Sequence, residues 1–133
     1  YPRLVWTDPV AEEWHQRTAM PLLVWSSQAR GFFTGRYTPE AVGSSDAPMD
    51  GFTRRMLEVY GTADNLERLR RARELGERKG GYPAVQVALA WLLHKPFPLI
   101  PIVGPRTPDE LVSCVQATTL HLTDAEYRWL NLG

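Results

Sequence analysis

Residues 22–37, LLVWSSQARGFFTGRY, give the clearest indication of fold in the sequence. This stretch opens with a short apolar run, Leu22 to Trp25, and passes through two serines into a loop that contains two glycines. Short apolar runs bounded by turn residues are typical of buried parallel strands. In parallel β/α proteins the loops that follow the strands line the ligand-binding crevice. We therefore expect this loop to carry the binding site.

A second apolar run of the same kind lies near the end of the chain. Leu99 to Val103 predicts a buried strand, although Pro101 removes one hydrogen-bond donor from it. The segment Gly104-Pro105-Arg106 follows this strand as the first loop follows Trp25. We expect the two strands to be parallel and their loops to lie at the same edge of the sheet.

Helix signals flank and separate the two predicted strands. Asp8 and Pro9 are typical of an N-cap and a first helical residue, and predict a helix as far as Ala19. Capping residues from Thr62 predict a helix to about residue 78, which has a narrow apolar stripe and is otherwise heavily charged. Pro83 opens the next helix, which is apolar almost all round up to residue 93 and is therefore expected to be buried.

Two capping boxes begin the last helices. Thr107 and Glu110 have the spacing of an N-cap and its N3 partner, so we expect the Glu110 carboxylate to fold back onto the Thr107 amide. This helix is predicted to end near Ala117. The spacing of Thr123 and Glu126 is the same and predicts a terminal helix.

Three segments give weaker signals. Residues 1–6 are apolar and aromatic, and predict the tail of a strand or an extended lead-in. Residues 38–51 hold two prolines and two glycines and show little periodicity, which predicts a surface excursion. Residues 52–60 predict a short helical turn, in which Phe52, Met56, Val59 and Tyr60 share a face.

Composition limits the classes of function. The 133 residues predict a single domain, or part of one, with enough apolar sequence for a core. Fifteen basic and fifteen acidic residues give zero formal charge, which argues against nucleic-acid and anionic-membrane partners. One cysteine excludes an internal disulfide and favours a reducing cytoplasm. We expect neither a signal peptide nor a membrane span, and we expect no metal site.

The order of predicted elements is helix, strand, helix, helix, strand, helix, which indicates α/β architecture with parallel strands. An eight-stranded (β/α)8 TIM barrel takes about 250 residues. The chain is therefore expected to supply about half of such a barrel.

Four motifs carry a resemblance to the aldo-keto reductases. Residues 22–37 resemble the "WSPLARGFLTGKY" loop after that family's seventh strand, and residues 86–93 resemble its "QLALAWLL" helix. Residues 101–111 are similar to "PIPGARKPEQL" after the eighth strand, and residues 120–126 are similar to the C-terminal "LTxEE". The motifs occur in the family's order and spacing. The resemblance implies the C-terminal part of a (β/α)8 barrel that binds NADP(H) and reduces aldehydes or ketones to alcohols.

The resemblance also implies cofactor contacts by position. Trp25 would stack on the nicotinamide ring, and the hydroxyl of Ser26 with the backbone of residues 28–31 would hold the pyrophosphate. Arg106 would meet the adenosine 2'-phosphate, because a guanidinium and a helix N-terminus both attract phosphate. The full set of implied cofactor-binding residues is Trp25, Ser26, Ser27, Gln28, Ala29, Arg30, Gly31, Arg36, Gly104, Arg106, Glu110 and Cys114.

The sequence departs from the family pattern at several of these positions. Ser27 and Gln28 replace the usual proline and leucine, and Glu110 replaces glutamine or arginine. Ser113 and Cys114 replace a Glu-Asn pair that holds adenine in the family. A carboxylate near the 2'-phosphate is unfavourable unless it turns away.

No catalytic residue is assigned in this chain. The family's tetrad of Asp, Tyr, Lys and His lies on earlier strands, and protonation of the product alkoxide needs such an acid. His15, His94 and His121 are expected to be structural or exposed, and Cys114 a small packing residue. Two hypotheses remain: the cofactor-binding part of an oxidoreductase, or a non-catalytic cofactor-binding, regulatory or interaction module. Both predict an N-terminal half of the barrel, or self-association, to cover the open sheet.

Overall fold

The computed structural model describes residues 8–43 and 49–133. The described chain is mostly helical, with one small parallel sheet. Its elements in chain order are α1 (Pro9–Thr18), β1 (Leu22–Val24), a 3-10 helix (Ala29–Thr34), α2 (Pro39–Gly43), α3 (Gly51–Tyr60), α4 (Ala63–Arg78), α5 (Ala84–Leu93), β2 (Leu99–Pro101), α6 (Pro108–Gln116), a second 3-10 helix (Ala117–Thr119) and α7 (Asp124–Leu130).

The helix starts follow the capping residues that the sequence contains. The Asp8 carboxylate accepts from the Ala11 amide at the start of α1, and the Thr62 hydroxyl accepts from the Asn65 amide at the start of α4. Thr123 begins α7 in a complete capping box, in which the Glu126 carboxylate also accepts from the Thr123 amide at 2.8 Å. These bonds satisfy N–H groups that the first helical turn leaves without a backbone acceptor.

The two strands are parallel, as expected, with Leu22 opposite Leu99 and Leu23 opposite Ile100. Both are shorter than predicted, because the regular ladder stops at Val24 and Pro101. The prediction that they are buried is wrong: Leu23 is 60% exposed and Ile100 is 49% exposed. Helix α5 packs against the sheet, whereas among the described residues the face that carries Leu23 and Ile100 is left largely exposed.

The core lies where α4 and α5 pack against each other and against the first 3-10 helix. The α4 stripe is buried as predicted, with Leu69, Ala72 and Leu75 each at most 2% exposed. On α5, Val87 is fully buried, and Trp91 stacks on Tyr127 of α7 with ring centroids 4.8 Å apart. The near-continuous apolar surface of α5 therefore marks a buried helix, as the sequence indicated.

The surface excursion predicted for residues 38–51 is helical in its first part. The Thr38 hydroxyl accepts from the Ala41 amide, and α2 runs from Pro39 to Gly43. Residues 44–48, and the strand or lead-in predicted at residues 1–6, lie outside the described part of the chain. The short turn predicted at residues 52–60 is a ten-residue helix capped by Asp50. Its predicted apolar face is partly wrong, since Phe52 is 48% exposed while Met56 and Tyr60 are buried.

Candidate functional site

Two loops meet at the carboxyl edge of the sheet. The parallel pairing brings the ends of β1 and β2 side by side, and the Ile102 amide donates to the Val24 carbonyl at 2.8 Å just beyond the regular ladder. Trp25 follows β1 and is 69% exposed. Arg106 lies on the loop that follows β2, directly before the Thr107 N-cap of α6. The strand-end positions predicted from the sequence therefore share one edge.

Two side-chain hydrogen bonds join the loops. The Ser27 hydroxyl donates to the Ile102 carbonyl at 2.8 Å, and the Gln28 amide nitrogen donates to the Cys114 sulfur at 3.2 Å. Ser27 and Gln28 were predicted as site residues from the first loop, and Cys114 from a position beyond the second. Nothing in the sequence indicated the Gln28–Cys114 bond or the Ser27–Ile102 bond. Cys114 is half-buried at this contact.

The backbone of the first loop turns through the left-handed region. Ser26, Ala29 and Arg30 have φ values of 55°, 47° and 52°, and Gly31 follows at 87°. Non-glycine residues rarely adopt this conformation, and such strain is concentrated at functional sites. The fully buried Phe32 fixes the loop to the core.

The amides expected to hold a pyrophosphate are partly used within the loop. The Ala29 amide donates to the Ser26 carbonyl at 2.8 Å, and the Gly31 amide donates to the Gln28 carbonyl at 2.9 Å. Ala29 itself is buried, whereas Ser26 and Arg30 are exposed at the site. A phosphate bound by the Ala29 or Gly31 amide would have to replace one of these bonds.

A cavity of about 670 Å³ opens beneath Trp25 and reaches the covered face of the sheet. Ser26, Ser27 and Arg30 form part of its lining, and Trp91 and Arg68 line it from the helices. A cavity of this size lies in the range of small-molecule sites. It joins the loop surface to the interior of the described chain.

Arg68 is half-buried and carries a buried donor atom, Nε, that the sequence pattern did not indicate. Its Nη1 donates to the Asn65 side-chain oxygen at 3.0 Å, but its Nε is buried with no partner among the described residues. The side-chain amide nitrogen of Asn65 is also buried and has no hydrogen-bond partner among the described residues. Both residues lie on α4, where the surrounding charged sequence gives no sign of an inward-facing pair.

Lys95 is a second missed residue on this cavity. Its ammonium group is paired with the Glu12 carboxylate of α1 and lies 5.2 Å from the centre of the Trp91 ring. The Lys95 side chain is only 6% exposed. Because 83 residues separate the ion-pair partners, no local pattern could have revealed the contact.

Glu110 departs from its predicted conformation. The Thr107 hydroxyl accepts from the Glu110 amide at 3.2 Å, which is the expected N-cap bond. The Glu110 carboxylate, however, accepts from the Arg106 amide at 2.7 Å and from the Arg106 guanidinium at 2.9 Å. The prediction that it folds onto the Thr107 amide is therefore wrong by one residue, because Arg106 offers both an amide and a charged donor to the same carboxylate.

This pairing changes the titration of both partners. The Arg106 side chain, then its backbone amide, hold the pKa of Glu110 below its ordinary value, and Arg36 lowers it further. The Glu110 hydrogen bond raises the pKa of Arg106. Gly104, on the loop after β2, has open space where a Cβ would lie. Arg36 lies at the end of the first motif, residues 22–37, whereas Gly104, Arg106 and Glu110 follow β2.

The side chains of His15 and His94 have structural contacts, and His121 makes a contact through its backbone. A ring nitrogen of His15 lies 2.8 Å from the Met20 carbonyl, and Nε2 of His94 lies 2.9 Å from the Asp124 carboxylate. The His121 carbonyl accepts from Lys79. Over residues 8–43 and 49–133, no three His, Cys, Asp or Glu side chains form a metal-binding group. In the same ranges no helix is both long enough and apolar enough to cross a bilayer.

Comparison with known proteins agrees with the motifs. The family model "Aldo/keto reductase family" matches residues 10–131. The chain is 30% identical over 111 residues to an oxidoreductase of Bacillus subtilis, YrpG, covering 83% of this chain and 31% of that protein. It is 42% identical over 53 residues to the norsolorinic acid reductase stcV of Emericella nidulans, covering 40% of this chain and 13% of that protein. The chain spans less than a third of the length of either relative. With its β1 and β2 loops, its buried α5 and its capped α6 all inside the matched range, the chain belongs to the aldo/keto reductase family.

Proposed function

We propose that the chain is the nicotinamide-cofactor-binding, C-terminal part of a (β/α)8-barrel oxidoreductase that reduces aldehydes or ketones with NADPH. One observation carries the proposal: the loops after two adjacent parallel strands lie together and are joined by the Ser27–Ile102 and Gln28–Cys114 hydrogen bonds. Ligands of parallel β/α proteins bind at this end of the strands. Both loops also carry the motifs that resemble the family's cofactor site.

The exposed groups at this edge fit the parts of a nicotinamide dinucleotide. Trp25 offers a ring face that is open to solvent, and Ser26 with Arg30 offers hydroxyl and guanidinium donors for the pyrophosphate. Arg106, at the N-terminal end of α6, is the candidate contact to a 2'-phosphate. The bound cofactor would supply the hydride. The chain's own residues would hold and orient that cofactor, with the proton donor on strands outside this chain.

The uncovered apolar surfaces support a larger barrel. Leu23 and Ile100 lie opposite one another on the open face of the sheet, and α6 exposes Leu111, Val112 and Val115 at 48%, 54% and 59%. Large exposed apolar surfaces of this kind are typical of interaction sites. We propose that residues 1–133 form one structural unit that pairs with an N-terminal half-barrel or with a second copy. We also propose a cytoplasmic location, for which the lone cysteine is the support.

Energy transfer from tryptophan to NADPH tests the cofactor site. With excitation of tryptophan and detection of NADPH emission, titration of the 133-residue chain should give a saturable signal, because Trp25 would contact the ring. Trp25→Phe should remove most of this signal and weaken binding. Trp14→Phe is the matched control, since Trp14 is also exposed, at 42%, but lies on α1. Equal signals from the two variants would contradict the assignment of Trp25.

Sedimentation tests the proposed pairing. The chain should self-associate at micromolar concentration, because its open sheet face is apolar. Leu23→Asp should shift it toward monomer, since the substitution places a charge in the middle of that face. Met20→Asp is the control, because Met20 is 51% exposed but precedes the strand. A stable, well-folded wild-type monomer would contradict the proposed pairing and leave the cofactor site unaffected.

A further inference from the structure

The Glu110 carboxylate already occupies the groups that would hold the 2'-phosphate. One of its oxygens accepts from the Arg106 amide at 2.7 Å, and the other accepts from the Arg106 guanidinium at 2.9 Å. An amide and a guanidinium are the donors that proteins use for phosphate. The carboxylate thus stands where an external anion would bind, and it cancels the charge of Arg106.

The two forms of the cofactor would meet this ion pair differently. A 2'-phosphate needs the Arg106 guanidinium, so it must displace Glu110 and remain near its negative charge. A free 2'-hydroxyl has no charge and can donate a hydrogen bond to a carboxylate, as it does to the acidic residue of other dinucleotide sites. The Arg106–Glu110 pair therefore opposes binding of the phosphate form without opposing the hydroxyl form.

We propose that Glu110 is a specificity-determining residue, which competes with the 2'-phosphate for Arg106 and so makes the site accept NADH as well as NADPH. The inference rests on the proposed cofactor site and adds the choice between its two ligands. Arg106 is 72% exposed and Glu110 is 40% exposed in their side chains. At this exposure, solvent weakens the pair, so its effect on binding is limited to a few-fold to about tenfold.

Two adenosine probes isolate the effect from the nicotinamide end. Adenosine 2',5'-bisphosphate carries the 2'-phosphate, and 5'-AMP has the free hydroxyl. By calorimetric titration of the full 133-residue chain, Glu110→Gln should tighten binding of the bisphosphate about three- to tenfold and change 5'-AMP binding less than twofold. In an Arg106→Ala background, the same Glu110→Gln change should have no such effect, because the contested cation is gone.

Asp109→Asn is the matched control, since it removes one negative charge from the same helical turn while keeping the Arg106–Glu110 pair. Circular dichroism of each variant would show whether α6 and the fold are kept. An equal gain from Asp109→Asn and Glu110→Gln would overturn the proposal in favour of general charge repulsion. If both probes bind and Glu110→Gln changes the affinity for neither, the role proposed for Glu110 is overturned while the proposed cofactor site stands. Failure of the wild-type chain to bind either probe would overturn the proposed cofactor site together with it.

Discussion

Gly76 is the position at which one added methyl group should do most damage. It lies near the C-terminal end of α4, where the chain turns back toward α5. A Cβ at this position would overlap the Tyr82 carbonyl oxygen, with the carbonyl carbon at 3.1 Å and the Val87 side chain at 3.4 Å. The obstructing oxygen belongs to the backbone, so it cannot move aside as a flexible side chain could. Gly76→Ala should therefore displace the turn between the two main core helices.

The size of the effect follows from three contributions. Overpacking a well-packed core costs about 1–3 kcal/mol. The Gly76 carbonyl also accepts from the Gly81 and Tyr82 amides at 2.9 and 3.1 Å, and losing both bonds costs roughly a further 2 kcal/mol. Alanine is the better helix former by about 1 kcal/mol, which offsets part of the loss. The free energy of unfolding should fall by about 2–4 kcal/mol.

Urea denaturation followed by far-UV circular dichroism measures this change. Gly51→Ala is the matched control, since Gly51 is the first residue of α3 and a Cβ there meets open space. The control should be neutral or more stable than the wild type, by up to about 1 kcal/mol. If Gly76→Ala were as stable as Gly51→Ala, the close approach of Tyr82 would not constrain the fold, and the reasoning would be refuted.

Three further predictions concern acid stability, backbone strain and activity. Arg70 and Arg71 hold the pKa of Glu67 at about 2, against an ordinary value of 4.5. The difference in unfolding free energy between wild type and Glu67→Gln should be complete above pH 4.5 and should vanish as the pH falls toward 2, because the carboxylate of the unfolded chain takes up its proton first. A difference in urea midpoints that stays constant across this range would contradict the ion-pair network. Arg30→Gly should be more stable than Arg30→Ala by roughly 0.5–1 kcal/mol in thermal unfolding, because glycine relieves the positive φ and alanine does not. The purified chain should show no aldehyde-dependent oxidation of NADPH by absorbance at 340 nm, since it lacks the proposed proton donor, and steady turnover would show that a catalytic acid lies within it.

Helix starts could be predicted because capping is local chemistry. Thr62 and Thr123 each accept from an amide three residues ahead, so the sequence spacing contains the whole interaction. The length of β1 and its exposure could not be predicted in this way. An apolar run indicates what a strand would bury, but the burial of Leu23 depends on what lies across the sheet, and that information is not in the residues beside it.

Glu110 shows why a local pattern can be correct in its parts and wrong in its outcome. The Thr107–Glu110 spacing predicts the helix start, and that start is present. The carboxylate had two amides within reach, and the sequence alone favoured the Thr107 amide that completes the capping box. The Arg106 amide offers a comparable bond, and the Arg106 guanidinium, four residues before Glu110, adds a charged one. The Glu110 carboxylate therefore pairs with Arg106 instead.

The loops of the site are held at a fixed separation by the chain itself. Ser27 bonds to the Ile102 carbonyl beyond β2, and Gln28 bonds to Cys114 on α6. Ser27, Gln28 and Cys114 are three of the positions at which the chain departs from the family pattern, which has proline, leucine and asparagine there. Two of these replaced residues, Gln28 and Cys114, bond to each other. A site whose loops are already joined pays less ordering entropy when a ligand spans them. In the proposed dinucleotide site, which would extend from Trp25 to Arg106, we expect the replaced residues to preorganise the two loops rather than to contact the adenine directly.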